Sequence, residues 1–325
     1  MGFWKQPKPT FLRRALFQIH LWTGVAAGVY MVFISLTGSA VVFRRDLNQS
    51  KLGNIPAKDV PADAKRLSEE ELRAAVLRQY PGYRITRVAA SRRRLAPSEA
   101  TLSRDGVILQ ERFNPYTGAD MGNARPRSVA VMEWFTDLHD NLLTGETGRK
   151  INAVGGAVLC VLCLSGLVIW WRASGAWYKG FLFNPRSGWK RINFDLHAAL
   201  GFWGLLILFL WGVSGIYFGF PDPFIKVVDY FEPADRAAIG RQGDAFIAWM
   251  VRMHFGRYGG MGVRITYVII GLLPAVMFVT GGIMWWNRVL RRWLAQTRAS
   301  RAEKMGSEVI LGGQSIAATG SVLEK

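Results

Sequence analysis

The sequence contains little cysteine, and that shortage excludes two classes of protein. Its two cysteines are Cys160 and Cys163. A disulfide-stabilised secreted fold or a four-cysteine zinc site needs more thiols than these. Both cysteines lie inside one apolar run, one helical turn apart. We therefore interpret the C-x-x-C pattern as two small packing residues and not as a redox motif.

Acidic residues are also scarce, with 23 Asp and Glu against 41 Lys and Arg, for a net charge of +18. In a soluble protein this balance would suggest a nucleic-acid partner. Here the basic residues flank apolar runs, so we expect contact with a lipid bilayer and no nucleic acid. They cluster before the first run, between the second and third, and after the fourth. The positive-inside rule predicts that these three segments face the cytoplasm.

Half of the residues are hydrophobic, and many of them collect in four long runs. Each run has about 20 or more residues without Lys, Arg, Asp or Glu, enough to cross a hydrocarbon core of about 30 Å. The first run is too long for the apolar part of a signal peptide and is interpreted as an anchor. We predict a mainly α membrane protein with a four-transmembrane-helix bundle, whose runs are 15–43, 151–171, 198–220 and 265–286.

A long insert between the first two runs is predicted to form a small α+β domain. Ser68 and Glu71 have the spacing of a capping box at the start of a helix. That helix should end near Tyr80, before Pro81 and Gly82. Alternating apolar and polar residues then predict antiparallel strands. The predicted strands are 83–90, 99–104 and 107–113.

These features divide the chain into seven predicted parts. They are a cytoplasmic tail with the first span (1–43), the insert (44–127), an interfacial helix with the second span (128–171), a cytoplasmic link with the third span (172–220), a second outer loop (221–263), the fourth span (264–286) and a basic cytoplasmic tail with a disordered end (287–325).

The chain has only four histidines, and all of them lie at repeated positions. Segments 139–171 and 254–286 align without a gap, each from a histidine to a Trp pair. This repeat predicts two pseudo-repeated hairpins. The shared residues include His139/His254, Gly145/Gly260, Arg149/Arg264, Gly156/Gly271, Gly166/Gly281 and Trp170-Trp171/Trp285-Trp286.

A second repeat places a histidine near the start of the first and third runs. The glycines Gly24 and Gly201 follow His20 and His197 by four residues, so each shares a helix face with its histidine. Such glycines leave a flat recess for a planar ring, although ordinary packing of small residues has the same signature. The shared residues are Phe17/Phe194, His20/His197, Gly24/Gly201, Gly38/Gly215 and Phe43/Phe220.

The predicted topology sorts the histidines into two pairs. His20 and His197 each begin an outward-going span, whereas His139 and His254 each precede an inward-going one. The two sides are about 30 Å apart, so one metal ion can be shared only within each pair. Two imidazoles are too few for a closed zinc site but complete the axial positions of a haem. We therefore predict two haems per chain that serve electron transfer.

The propionates of such haems would need cationic partners at the membrane edges. The candidates for the inner haem are Arg13, Arg14 and Arg191, and those for the outer haem are Arg149, Arg252, Arg257 and Arg264.

Over about residues 11–295, the chain resembles the PepSY-associated transmembrane proteins, also described as iron-regulated membrane proteins. That family includes inner-membrane ferric-siderophore reductases. The loop Asn114-Pro115-Tyr116-Thr117-Gly118 resembles the end of a PepSY domain. The other matching motifs are Ile19-His20, Leu36-Thr37-Gly38-Ser39-Ala40-Val41-Val42-Phe43-Arg44, Leu138-His139, Gly145-Glu146-Thr147-Gly148-Arg149, Asp195-Leu196-His197, Met253-His254-Phe255-Gly256 and Trp285-Trp286.

The resemblance implies a haem b protein of the bacterial inner membrane, with cytoplasmic termini and a PepSY-like periplasmic insert. It implies reduction of a periplasmic ferric siderophore, which releases Fe(II) for iron acquisition. A flavodoxin-like or flavin domain is not fused here, so the donor would be a separate cytoplasmic reductant or quinol. Trp134, Trp249 and Trp285 are candidates for the docking surface.

Two other functions are also consistent with these features of the sequence. A quinol-linked cytochrome b feeding another periplasmic reductase would keep the haems and change their role. A non-redox PepSY membrane protein would instead bind or inhibit a partner protease. Quinol-dependent reduction of the purified protein would favour the first, and a colourless preparation from haem-replete cells would favour the second.

Overall fold

The computed structural model describes residues 11–56, 59–91, 93–173, 181, 185–233 and 240–301. Predictions about the start of the N-terminal tail, part of the link between the second and third spans, and the disordered end fall outside these residues. In order, the described elements are α1 Phe11–Val41, α2 Arg44–Lys51, α3 Glu69–Gln79, β1 Arg84–Ala89, β2 Ser98–Arg104, β3 Val107–Phe113, β4 Asp120–Asn123, α4 Arg127–Asn141, α5 Glu146–Ala173, α6 Trp189–Gly219, α7 Pro221–Phe231, α8 Gln242–His254, α9 Met261–Gly271 and α10 Leu273–Trp285.

Among the residues that the structure describes, four helical segments are long and apolar enough to cross a membrane, which confirms the four predicted spans. They are α1, most of α5, α6 and the segment Met261–Arg301. Large apolar side chains on them stay exposed, for example Leu206 at 83% and Trp203 at 70%. Exposed apolar surface on this scale is stable when lipid covers it.

The fourth span is interrupted, whereas the sequence predicted one continuous run. Helix α9 ends at Gly271 and α10 begins at Leu273. The physical reason is Pro274, which has no backbone N–H and whose ring crowds the carbonyl of Ile270 one turn earlier. After α10 the chain continues through a π-helical turn, Trp286–Leu290.

The chain divides into two compact units. The first contains the described residues within 1–36, 150–254 and 269–325, and the second contains those within 37–149 and 255–268. Helix α1 contributes to both units.

In the first unit, α5 and α6 approach closely through glycine. A methyl group added at Gly156 would lie 2.6 Å from the carbonyl oxygen of Gly212, and one added at Gly212 would lie 2.6 Å from Sγ of Cys160. Both cysteines are free thiols, with Cys163 buried. This placement agrees with their interpretation as small packing residues.

In the second unit, the insert is a four-stranded antiparallel sheet in the order β1-β2-β3-β4. Helix α3 packs on it through Leu72 and Val76, which meet Leu102 and Phe113 in a buried core. The predicted capping box is present, because Ser68 Oγ accepts from the N–H of Glu71 and the Glu71 carboxylate accepts in return.

Several short elements were not predicted. Helix α2 and strand β4 lie in the insert, and α7 lies in a segment expected to be loop. Helix α5 also begins earlier than the predicted second run at 151–171, since its first residue is Glu146. The guanidinium of Arg112 donates to the carbonyls of Lys51, Gly53 and Met121, so a tertiary contact stabilises the end of α2.

Candidate functional site

The structure brings His20 of α1 and His197 of α6 together within the first unit. Their ring centres lie 6.4 Å apart, and the ring planes are at 90° to each other. A metal–imidazole nitrogen bond is about 2 Å long, so two imidazoles on opposite sides of one metal ion have ring centres about 6.3 Å apart. The observed spacing therefore fits a single metal ion with two axial histidines.

A hydroxyl group on the neighbouring helix orients His20. Its Nδ1 lies 3.0 Å from Oγ of Ser165 on α5. The same hydroxyl donates to the carbonyl of Val161 one turn earlier, at 2.6 Å. Because the hydroxyl proton is used there, the hydroxyl oxygen accepts from Nδ1–H of the imidazole. This tautomer has its lone pair on Nε2.

His197 has the same arrangement against α10. Its Nδ1 lies 2.8 Å from Oγ1 of Thr280, and that hydroxyl donates to the carbonyl of Val276 at 2.8 Å. The carbonyl of Thr280 also accepts from the buried amide of Asn193, one turn before the histidine. Two contacts between α6 and α10 therefore place His197, and its lone pair is again on Nε2.

The other two histidines also have hydroxyl partners. His139 of α4 lies in the second unit, where its Nδ1 is 3.3 Å from Oγ1 of Thr37. His254 of α8 lies in the first unit, where its Nδ1 is 2.7 Å from Oγ of Ser214. The pairing of these two histidines as outer ligands stays a prediction.

A glycine follows each of the four hydroxyl residues, and three of these glycines meet a histidine. A methyl group added at Gly38, Gly166 or Gly281 would lie 2.7, 3.1 or 3.3 Å from Cε1 of the neighbouring imidazole. Glycine therefore lets the ring lie against the helix backbone. The four dipeptides are Thr37-Gly38, Ser165-Gly166, Ser214-Gly215 and Thr280-Gly281.

Sequence reasoning found these glycines as repeat positions but missed the hydroxyls before them. The reason is that Thr37 corresponds to Ser214, and Ser165 corresponds to Thr280. Comparison by residue identity treats these pairs as mismatches. Treating Ser and Thr as one class of hydroxyl would have shown the motif.

The predicted recess beside His20 is only partly open. A methyl group at Gly24 would meet Leu162 at 3.7 Å, whereas Gly28 is covered by the ring of Phe278. At Gly201 an added methyl would lie 3.1 Å from the end of the flexible Met277 side chain. Gly28 therefore serves helix packing, and the space near Gly24 and Gly201 is bounded by movable side-chain ends.

The arginines predicted near the inner haem differ in their contacts. Arg191 forms an ion pair with Asp195 at 2.9 Å. Arg13 and Arg14 lie in the first turn of α1, with Arg13 about two turns before His20. A cation that the prediction omitted, Arg288, lies 4.5 Å above the ring of Phe17, one turn before His20.

Two of the arginines predicted near the outer haem already pair with acids in the second unit. Arg149 pairs with Asp140. Arg264 pairs with Asp46, and this hydrogen bond is the main reason that the pKa of the Asp46 carboxyl is lowered.

Arg257 and Arg252 have other surroundings. Arg257 stacks over Phe255 at 4.2 Å, and partial burial together with the charges of Arg45 and Arg44 lowers the pKa of its guanidinium. A bound anion would relieve this mutual repulsion. Arg252, in the first unit, is exposed and donates to the carbonyl of Ala248 on its own helix.

Trp285 was wrongly grouped with the outer docking residues. Its ring centre lies 6.5 Å from that of Trp22, two residues after His20. Trp285 therefore belongs to the end of the first unit that holds His20 and His197. Trp249 is 40% exposed and stacks on Phe246, and Trp134 is 48% exposed beside Phe135.

Across the described residues, no group of three or more His, Cys, Asp or Glu comes together to hold a metal ion. The pair His20–His197 brings two imidazoles together. Two imidazole ligands suit a metal whose other ligands come from a cofactor, as in a haem.

Comparison with known proteins shows to which family the chain belongs. A family model described as PepSY-associated TM region matches residues 17–242 and 230–288. The chain belongs to this family. An uncharacterized protein of Pseudomonas aeruginosa is 32% identical over 94 residues, which are 28% of this chain and 22% of that protein. The match thus spans about a fifth of that relative's length.

Membership confirms the resemblance found in the sequence at the level of the family. Together with the four apolar helices, it shows that this PepSY-associated TM protein is a multi-pass membrane protein.

Proposed function

We propose that this PepSY-associated TM protein is a two-haem electron conduit of the bacterial inner membrane that reduces ferric siderophores outside the cytoplasm. The single observation that carries the proposal is the His20–His197 pair. Its 6.4 Å ring spacing fits two axial ligands of one iron. The hydroxyls of Ser165 and Thr280 support it, because they leave Nε2 of each ring with a lone pair.

The surroundings of the pair suit a large apolar macrocycle with charged edges. Gly24, Gly201 and the flexible side chains of Leu162 and Met277 bound the space beside the rings. Arg13 and Arg288 supply positive charge at the same end of the first unit, where they can attract carboxylates. When bound, a haem b supplies one-electron oxidation and reduction of its iron.

His139 and His254 are proposed to hold the second haem. The support is the shared arrangement, since each Nδ1 lies beside a hydroxyl that precedes a glycine. Haems held by these two histidine pairs would carry one electron from a cytoplasmic reductant or quinol, with His20 and His197 on the entry side and His139 and His254 on the exit side. There it reduces Fe(III) of a siderophore to Fe(II), which binds hard oxygen ligands less tightly and is released.

The proposal is tested by haem stoichiometry in protein purified from haem-replete cells. We expect two haems per polypeptide in a pyridine haemochrome assay and one haem in His197→Ala. A matched control is Leu206→Ala on the same helix, whose side chain is 83% exposed and should not affect haem content. A colourless wild-type protein would contradict the proposal and favour a non-redox PepSY function.

The substrate is tested separately with pre-reduced protein in detergent. Addition of a ferric siderophore should reoxidise the haems, and a ferrous-specific chelator should trap one Fe(II) per electron lost. Haem-loaded protein that a quinol reduces, but that no ferric siderophore reoxidises, would instead identify a quinol-linked cytochrome b.

A further inference from the structure

We propose that Ser165 and Thr280 are positioning residues that set which nitrogen of His20 and His197 faces the iron and hold the two ring planes perpendicular. The proposal rests on the proposed haem ligation. It concerns how the chain orients the two histidines that would bind the iron. It assigns this role to hydroxyl groups that lie outside the histidine motifs.

The directions of the hydrogen bonds determine which nitrogen of each histidine faces the iron. Ser165 and Thr280 each donate to a carbonyl of their own helix, at 2.6 and 2.8 Å. A hydroxyl has one proton, so its oxygen is the acceptor for the imidazole. Nδ1 must then carry the proton, and Nε2 carries the lone pair. Each histidine is therefore prepared as an Nε2 ligand before any metal is bound.

Contacts along one edge of each imidazole ring fix the orientation of the ring plane. A ligand bound only through Nε2 could rotate about its bond to the metal. Two contacts on one edge of the ring prevent this rotation. They are the hydrogen bond to Nδ1 and the close approach of the Gly166 or Gly281 backbone to Cε1. Because α5 orients His20 and α10 orients His197, the two planes are set independently, and they stand at 90°.

Repetition argues that the hydroxyls serve the histidines and do not only satisfy their own helices. Thr37 and Ser214 lie beside Nδ1 of His139 and His254, although those histidines are on the helices α4 and α8 and not on the spans α1 and α6. Hydroxyl residues elsewhere in the spans, such as Thr266, bond to their helix carbonyl without a histidine.

The test uses electron paramagnetic resonance of the oxidised wild-type protein and three variants in detergent. Low-spin ferric haem with perpendicular imidazole planes gives a signal with one large g value, whereas nearly parallel planes give three resolved rhombic lines. Thr280→Val removes the hydroxyl and keeps the volume. We expect it to convert one large-g signal to a rhombic or heterogeneous one, and to raise the midpoint potential of that haem because the imidazole loses its acceptor.

Two matched variants isolate the hydroxyl. Thr280→Ser keeps it and should retain the wild-type signal and potential. Thr266→Val makes the same substitution away from the histidines and should also match wild type. Loss of one haem in Thr280→Val, with the other retained, would likewise support the proposal. If Thr280→Val does not accumulate, Ser165→Ala tests the same idea at His20.

The outcomes separate this proposal from the proposed function. A wild-type protein without haem contradicts haem ligation itself. A wild-type protein with two haems, and a Thr280→Val spectrum and potential identical to it, overturns the positioning role alone. Equal changes in Thr280→Ser and Thr280→Val would also overturn it, because a shape effect and not the hydroxyl would then be the cause.

Discussion

The hydroxyl of Ser35 donates to the carbonyl of Gly271 at 2.6 Å and accepts from the N–H of Ala275 at 3.3 Å. These two backbone groups lie on either side of the break in the fourth span. A break inside a membrane leaves backbone groups that lipid cannot satisfy. Ser35, which is only 5% exposed, therefore compensates for the interruption that Pro274 causes.

Replacing Ser35 by Ala should destabilise the protein by about 1–2 kcal/mol, the upper range for a hydrogen bond between membrane helices. The expected result is a lower Tm in a thermal unfolding assay in detergent. Ser50→Ala is a suitable control, since Ser50 is exposed and bonds only to the nearby carbonyl of Leu47. Equal Tm values for Ser35→Ala and wild type would show that the Ser35 hydroxyl does not stabilise the break.

The relay order predicts different defects for the two histidine pairs. His254→Ala should abolish reoxidation by a ferric siderophore while the haem at His20 and His197 is still reduced by dithionite. His20→Ala should block supply from the cytoplasmic donor, yet the other haem, reduced chemically, should still deliver electrons to the substrate. Stopped-flow absorbance measures both reactions. If both variants lose siderophore reoxidation equally and each keeps its other haem, the proposed order is wrong.

The topology predicted from the basic segments places the insert outside the cytoplasm. An alkaline phosphatase fusion at Ala96, in the connection between β1 and β2, should be active in cells. A fusion at Gly188, before α6, should be inactive with that enzyme and active with a cytoplasm-dependent reporter. The reverse pattern would invert the orientation of the whole protein.

Glu111 predicts a pH dependence in the insert. Burial raises the pKa of its carboxyl, and the charge of Asp120 adds to this effect. Since the folded pKa lies above the unfolded value, the protonated form is favoured by folding. The contribution of Glu111 to the free energy of unfolding is therefore fully present below its pKa in the unfolded state. It is lost as the pH rises through its pKa in the folded state.

Hydrogen exchange of full-length protein checks this dependence. Peptides from β2 and β3 should exchange faster as pH rises through the raised pKa of Glu111, after correction for the intrinsic rate. Glu111→Gln should remove that acceleration. Glu99→Gln, on an exposed position of β2, should retain it. Identical profiles for Glu111→Gln and wild type would argue against an ionising Glu111.

Local features of the sequence were sufficient for the spans and for the start of α3. The spans follow from the length of apolar runs, and the capping box at Ser68 and Glu71 depends on residues three positions apart. Strand β4 and helix α2 were missed because they are short and have little apolar pattern of their own. Contacts such as those of Arg112 stabilise them in the fold.

The sequence by itself determined that four histidines stand at repeated positions, because their spacing from glycines and apolar runs is written along the chain. Only the tertiary structure decided which groups meet them. The hydroxyl of Thr280 reaches His197 because α10 packs against α6, and a separate contact of α10 with α1 places Trp285 beside Trp22. The ion pairs of Arg149, Arg191 and Arg264 likewise depend on side-chain geometry, since a run of charges along a chain does not specify its partners.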